Sequence, residues 1–489
     1  MQTENREIMG REMAAVPSTK PHVVLIPFPA QGHINPLLKL AKLLHARGFH
    51  ITFVNTEYSQ KRMLQSHDPS TLRSLDDFRF ETLPDDYENR TTGFLCYSIP
   101  KLCLAPLRDL LRKLNNSPTE CPPVTCIITD GVMSFTLDVA NELGIPAMFF
   151  WTTSACGFMA YLHNQHLIDR GLTPLKGLSN LSDGYLDTKV DWVPGMSDMR
   201  LRDFPSWIRT TDGNDYMLHF NIYEVQRASM AAAVILNTFD ELERPVLEAL
   251  APIVPPVYTV GPLDLLLHEI PNPRLKSINI NLWKEDESYL EWLDQREPGS
   301  VVYVNFGSLA VMTNDQLIEF AWGLARSNYH FLWIIRPDLV KGDDAVLPQE
   351  FLTETKGRAL LASWCQQDAV LPHPSIGGFL THSGWNSTLE SISNGVPMLC
   401  WPFFAEQPTN CKYACIDWGV AMEIHNVVNR DEVERMVREL MGGEKGKEMR
   451  RRALEWKEKA VGAAKAGGSS FMNLERMVKE VLLLPKNDF

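Results

Sequence analysis

The chain is poor in cysteine, short of positive charge and without a long apolar run. Nine cysteines stand in 489 residues and none forms a Cys-x-x-Cys pair, which excludes a zinc ribbon and a thioredoxin-type dithiol. Cys411 and Cys415 are one helical turn apart but have no further ligand types beside them, so no metal site is expected. Reduced, buried thiols in a cytosolic protein are the reading. Lysine and arginine number 47 against 60 aspartates and glutamates, and the net charge of −13 has the wrong sign for a nucleic-acid binder. The most apolar stretch, 147–162, is too short and too polar for a bilayer, which needs ~20 apolar residues. Residues 1–20 contain no apolar segment that could serve as a secretory signal. A cytoplasmic, monomeric protein without membrane insertion is expected.

Several motifs are missing too. No GxGxxG follows the first strand-like run, where the chain reads GHINP. There is no GxxxxGK[ST] and no GxSxG. No two aspartates stand two apart, so there is no Asp-x-Asp pair to clamp a diphosphate through a divalent cation. A diphosphate bound by this acidic chain must be neutralised in another way.

What is present is ordinary globular composition, 45% apolar and 22% charged. Short apolar runs rich in β-branched residues recur at 22–28, 51–55, 124–129, 145–151 and 231–239, with helical spacing between them, as at 37–48. A second series runs through 301–308, 330–335, 359–364, 377–382 and 396–402. The prolines of 251–277 separate the two series and argue against regular structure there. The expected fold is α/β, with two Rossmann-like, doubly wound domains facing across a cleft. The boundaries are a disordered segment 1–20, a first domain 21–250, a linker 251–290, a second domain 291–465, and a C-terminal helix in 466–489 able to return to the first domain.

The segment 364–407 is the most unusual in the chain. GGFLTH reads as a strand, and HSGWNSTLES leaves its C-terminal end as a helix, at the edge where open parallel sheets bind ligands. Ser383 and Gly384 let the backbone turn and approach. Trp385, Asn386 and Ser387 fall in the first helical turn, whose N–H groups attract an anion, with His382 as a further donor. Glu390, three residues on, suits ribose hydroxyls, and Trp364, at a strand end, could stack on a flat base. Singly, each has a plainer explanation: a core tryptophan, a turn-tying histidine, a solvated glutamate. The ordered set is what distinguishes them.

That set (W-x-x-Q, H-x-G-W-N-S, a glutamate three residues on, a closing acidic-Gln pair) resembles the signature of plant family 1 UDP-glycosyltransferases. The signature has 44 residues, as has 364–407. PFPAQGHINP, LNTFDELE at 236–243 and SVVYVNFGS at 300–308 extend the likeness over most of the chain. The resemblance implies a GT-B fold and inverting transfer of a sugar from a UDP-sugar, as co-substrate, without a metal or other cofactor. Trp364 would stack on uracil, with the Cys365 backbone at the base edge. Gln367 and Glu390 would hold the ribose. His382, Asn386 and Ser387 would bind the diphosphate, with Ser308 and Gly384 close by. Trp385, Glu406, Gln407 and Thr152 would contact the sugar. A terminal glutamine such as Gln407 is associated with UDP-glucose, with galactose and xylose still open.

An acceptor hydroxyl needs a base, and histidine suits neutral pH. His33, in the loop after the first strand, and Asp130, after the strand 124–129, both belong to the ligand edge. Alone, they read equally as a turn-tying histidine and a helix N-cap; the resemblance makes them the catalytic pair. Apolar loop residues of the first domain, Phe94, Phe149, Met196 and Phe204 with Cys96, Phe150, Met159 and Trp207, are candidates to line a lipophilic acceptor pocket. DWVPGM and RLRDFP resemble the branch acting on terpenoids, cyanohydrins and phenolics, and the acceptor's hydroxyl or carboxyl group stays open. A phosphorylase would need a marked pyridoxal lysine, an epimerase would not join this box to an acceptor base, and a dead binding protein would have lost His33 or Asp130.

Overall fold

The computed structural model describes residues 20–66, 75, 77–85, 91–116, 121–270, 275, 278, 288–340, 346–425 and 427–483. Nearly all of the 1–20 segment, prolines 271 and 273 and the last six residues lie outside them. The first sheet contains β1 (His22–Ile26), β2 (His50–Thr56), β3 (Phe78–Leu83), β4 (Val124–Asp130), β5 (Ala147–Trp151), β8 (Val234–Leu236) and β9 (Val257–Thr259). Its order is β3-β2-β1-β4-β5-β8-β9, all parallel. Lys189–Val190 (β6) and Met199–Arg200 (β7) form a small antiparallel ribbon apart from it. The second sheet joins β10 (Val301–Asn305), β11 (His330–Ile334), β12 (Ala359–Ala362), β13 (Ile376–Thr381), β14 (Met398–Cys400) and β15 (Ala421–Glu423). Its order is β12-β11-β10-β13-β14-β15, again parallel.

Helices cover both faces of such sheets, so their strands are buried on both sides and read as continuous apolar runs. His22–Ile26, Val301–Asn305 and Ile376–Thr381 are buried at every position. Phe78–Leu83 has half-buried and exposed positions, which hid it from a reading that sought unbroken apolarity.

Each sheet reverses its winding once, and both reversals face the cleft. In the first, β1 and β4 are neighbours although far apart in the chain, and Ile26 pairs with Thr129. In the second, β10 and β13 are neighbours, and Asn305 pairs with Thr381. A parallel sheet opens a crevice at such a reversal, beyond the carboxyl ends of its strands. The chain leaving β1 therefore stands beside the end of β4, and the chain leaving β10 beside the end of β13.

Two expectations need correction. The stretch from 251 is not irregular throughout: Val257–Thr259 is the seventh strand of the first sheet, and the helix Leu263–His268 packs on the helix after β1. The first domain therefore continues beyond 250. Proline is tolerated there because Val257–Thr259 is a sheet edge. The helix after β1, α1, spans Gln31–His45 and not 37–48, so His33 sits in its first turn and not in a loop.

All nine cysteines are free thiols, with only Cys415 partly exposed. No helix among the described residues is long and apolar enough to cross a membrane. The helix Ser469–Met477 returns to the first domain, where Leu474, Met477 and Val478 join the core formed by α1 and the first sheet. Met477 is fully buried there. Met477→Ala should destabilise the protein by about 2–5 kcal/mol, seen as a lower urea midpoint.

Candidate active site

A cavity of about 630 Å³ lies between the two sheets' carboxyl edges. On the first-domain side, His33 Nδ1 is 2.7 Å from Asp130 Oδ2, and Thr152 Oγ1 is 3.0 Å from the same nitrogen. Asp130 is 1% exposed and the His33 side chain 25%. The Val132 amide donates to Asp130 Oδ1 at 3.1 Å, which leaves Oδ2 for the imidazole. A carboxylate at Nδ1 puts the proton there and leaves Nε2 as the basic nitrogen. Burial pushes the His33 pKa down, but the charge and hydrogen bond of Asp130, with Glu406 further off, outweigh it and the net shift is upward.

On the second-domain side stands the helix Trp385–Asn394. Its N-cap is Gly384 and no side chain caps it, so its first-turn amides keep their capacity for an anion. Ser383 takes a left-handed φ of 63° to make the turn from β13. His382 lies between two glycines: a Cβ on Gly384 would come within 2.4 Å of its ring, and one on Gly307 within 2.5 Å. Its Nδ1 is buried without a hydrogen-bond partner. Burial, and secondly the charge of Arg336, lower its pKa to about 4. His382 is thus neutral near pH 7, a donor or acceptor but not a cation.

Gln367 organises the next layer. Its Oε1 accepts from Tyr303 at 3.2 Å and Asn305 at 2.9 Å, while Nε2 donates to Ser387 Oγ at 2.9 Å and Glu390 Oε2 at 2.7 Å. Lys39, on α1, lies 2.6 Å from Asp264 and 3.4 Å from Glu390. Burial lifts the Glu390 carboxyl above its usual range and Lys39 draws it back. Gln407 Oε1 accepts from the amides of Phe403 and Phe404 at 2.8 and 3.0 Å, so its NH2 group is what remains for a ligand. Glu406 lies 3.4 Å from Tyr161 Oη, and burial raises its pKa. Among the described residues, no group of histidine, cysteine, aspartate and glutamate could hold a metal ion.

The two sides are tied together beside the base. Pro36 has no N–H, so the Gly32 carbonyl four residues earlier lacks its usual helical donor. Asn386 Nδ2 supplies one across the cleft at 2.7 Å. Trp385 Nε1 donates to the Asn237 carbonyl at 2.8 Å, a second tie.

The cavity brings together His33, Thr152, Ser308, Trp364, Cys365, Gln367, His382, Gly384, Trp385, Asn386, Ser387, Glu390, Glu406 and Gln407; Asp130 stands behind His33. Trp364 is 9% exposed and lies two residues past the end of β12, not exposed at a strand end. The four acceptor candidates fail. Phe149, Met196 and Phe204 are core residues at 0%, 3% and 0% exposure, and Phe94 is half-buried; none lines the cavity. Phe150 and Met159 are core as well. The apolar wall is instead Phe28, Cys96, Trp151, Trp207, Met217 and Phe220. Cys96 and Trp207 were among the apolar candidates, but nothing in the sequence separates the others from core. Lys39, Asn237 and Asn305 were missed as well, for they act through pairings between distant segments.

Two facing doubly wound sheets with a His–Asp pair opposite an uncapped helix N-terminus define a two-domain, GT-B-type transferase. The family model described as "UDP-glucoronosyl and UDP-glucosyl transferase" matches residues 96–455. A 7-deoxyloganetin glucosyltransferase of Gardenia jasminoides is 59% identical over 95% of this chain and 98% of its own. The (R)-mandelonitrile beta-glucosyltransferase of Prunus dulcis is 57% identical over 96% and 98%. Among solved structures, Os79 from O. sativa in complex with UDP superposes with a TM-score of 0.79 at 27% identity, covering 94% of this chain and all of that one. Phytolacca americana UGT2 with UDP-2fluoro-glucose and pterostilbene gives 0.77 at 31%, covering 94% and 99%. The chain belongs to the UDP-glycosyltransferase family and is a glycosyltransferase.

Because its pKa is raised, His33 becomes a free base only as pH climbs above 6.5, and the acid limb of kcat/KM should lie there. Asp130→Asn removes the raising influences of Asp130, so the limb should shift to lower pH while the plateau falls; a pH–rate profile reads both. Pro36→Ala gives Gly32 back its helical donor. Competition with Asn386 should raise KM for the UDP-sugar roughly two- to tenfold, the scale of one hydrogen bond, with the urea midpoint unchanged or higher.

Proposed function

We propose that this enzyme transfers glucose from UDP-glucose to a hydroxyl of a lipophilic plant metabolite, inverting the anomeric centre to give a β-glucoside. The carrying observation is the His33–Asp130 pair at 2.7 Å, with the ring in the cavity wall opposite the Trp385–Asn394 helix start. His33 Nε2 takes the acceptor's proton as its oxygen attacks the anomeric carbon from the face opposite UDP. Asp130 fixes the tautomer and stabilises the imidazolium as it forms. The first-turn amides of Trp385, Asn386 and Ser387, with a neutral His382, receive the charge that develops on the leaving diphosphate. This reading needs no divalent cation, in keeping with the missing Asp-x-Asp pair.

In this proposal Trp364 faces uracil, the Cys365 backbone its edge, and Gln367 and Glu390 the ribose. Ser308 and Gly384 border the diphosphate, and Thr152, Trp385, Glu406 and Gln407 the sugar. Glucose as donor and a terpenoid-type or cyanohydrin acceptor are supported by the names of the relatives, which act on 7-deoxyloganetin and (R)-mandelonitrile. The wall of Phe28, Trp151, Trp207 and Phe220 suits such an apolar molecule.

Purified protein incubated with UDP-glucose, UDP-galactose and UDP-xylose against iridoid, cyanohydrin and phenolic alcohols, read by product mass, tests the whole; no transfer with any pair would overturn it. His33→Ala should lower kcat about 10²–10⁴-fold with UDP affinity nearly unchanged. Activity should survive EDTA, and strict dependence on added Mg²⁺ or Mn²⁺ would refute the cation-free site.

A further inference from the structure

The diphosphate subsite has an unsolved charge problem. The chain carries −13, and His382 at the subsite is neutral near pH 7. The uncapped helix offers partial charge only, about half an elementary charge. Four carboxylates, Asp264, Asp368, Glu390 and Glu406, line the same cavity against two lysines, Lys39 and Lys42, and Lys39 is already paired with Asp264 and Glu390.

One cation lies behind the subsite wall. Arg336, two residues beyond β11, is 2% exposed. β11 is the neighbour of β10 on the side away from β13, so the end of β10 lies between Arg336 and the strand that leads to His382. The Arg336 guanidinium donates to the carbonyls of Ser308 and Ala310, the latter at 2.6 Å. Its Nε has no hydrogen-bond partner, and Asp338 Oδ1 is 3.7 Å from it on a side chain that is 59% exposed. A guanidinium stays protonated even when buried. Two neutral carbonyls and one solvent-screened carboxylate therefore leave much of its charge uncompensated.

That charge is directed at the cavity by the loop it holds. Gly307, Ser308 and Leu309 line the cavity. The Gly307 amide is tied back to Asn305 Oδ1 at 2.9 Å, and its Cα lies against the His382 ring. Since the Ser308 carbonyl turns to Arg336, the Leu309 N–H of the same trans peptide plane points the opposite way. The guanidinium thus both supplies a full charge and orients a peptide dipole whose positive end faces away from it.

We propose that Arg336 is the positioning residue of the diphosphate subsite, a buried cation that holds the 308–310 loop and offsets the negative charge of a UDP-sugar without touching it. This rests on the reading that the diphosphate binds between that loop and the Trp385–Asn394 helix. A merely structural arginine would disturb all ligands of the cavity alike. A charge acts in proportion to the phosphates present.

Titration calorimetry with uridine, UMP and UDP on the wild type, Arg336→Lys and Arg336→Gln separates the two. For Arg336→Gln, UDP affinity should fall about tenfold or more, UMP less, and uridine less than about twofold. Arg336→Lys should recover much of the UDP affinity, and kcat should follow the same order. Equal losses for uridine and UDP, or a lysine variant no better than glutamine, would overturn the proposal. If Arg336→Gln does not fold, Asp338→Asn carries the test: relieving Arg336 of its partner should tighten UDP roughly twofold and leave uridine unchanged, and any other pattern counts against it. A wild type that binds uridine and UDP equally would instead refute the placement of the diphosphate.

Discussion

One carbonyl in the wall of the cleft ties the two halves of the site to each other. Pro36 removes the amide that would have bonded Gly32, and Asn386 takes the place across the cleft at 2.7 Å. Gly32 precedes the candidate base, and Asn386 is the second residue of the helix Trp385–Asn394 on the other side of the cleft. A single hydrogen bond therefore holds the first turn of α1, which carries His33, against the uncapped start of that helix, at a position where α1 has given up one of its own. The Trp385–Asn237 bond does the same one residue away. Catalysis by positioning needs this, because reactivity depends on ångström-scale placement of base, acceptor and leaving group.

The winding of the sheets supplies the other half of the constraint. Each sheet reverses once, and each reversal sets two chain segments side by side at a carboxyl edge. The first brings His33 and Asp130 together, and the second brings the Gly307–Ser308 loop and His382 together. The same topology thus yields a corner built on a His–Asp pair in one domain and a corner built on an uncapped helix start in the other. The two corners differ in the groups packed around each imidazole. A buried carboxylate beside His33 raises its pKa, whereas burial in a close glycine cradle, with a guanidinium nearby, lowers that of His382.

Burial also sorts the charged residues of this acidic chain. Lys39 spans Asp264 on its own domain and Glu390 on the other, so an ion pair reinforces the seam where solvent is scarce. Gln367 joins Glu390 and Ser387 to Asn305 and Tyr303 of the second sheet, which holds the Glu390 carboxylate in place. Such a network holds its members in one geometry because each buried polar atom left unpaired would cost free energy.

Local signals in the sequence determined much of this. Unbroken apolar runs are a direct consequence of burial on both faces, as in Val301–Asn305 and Ile376–Thr381, where every position is buried. The 364–407 box was legible because glycine, histidine and small polar residues at a strand-to-helix turn answer to chemistry at one place in the chain. Tertiary structure alone decided the rest. Phe149, Met196 and Phe204 are as apolar as Phe28, Trp151 and Phe220, yet the first three fill the core and the others line the cavity. Apolarity records that a side chain leaves water, not which neighbour it finds. The pairings of Arg336 with the Ser308 and Ala310 carbonyls and of Lys39 with Asp264 and Glu390 were equally hidden, since the partners lie in other segments. The sequence carried the elements and the residues able to do the chemistry; only the facing of two sheets, through long-range pairing, determined which of those residues meet.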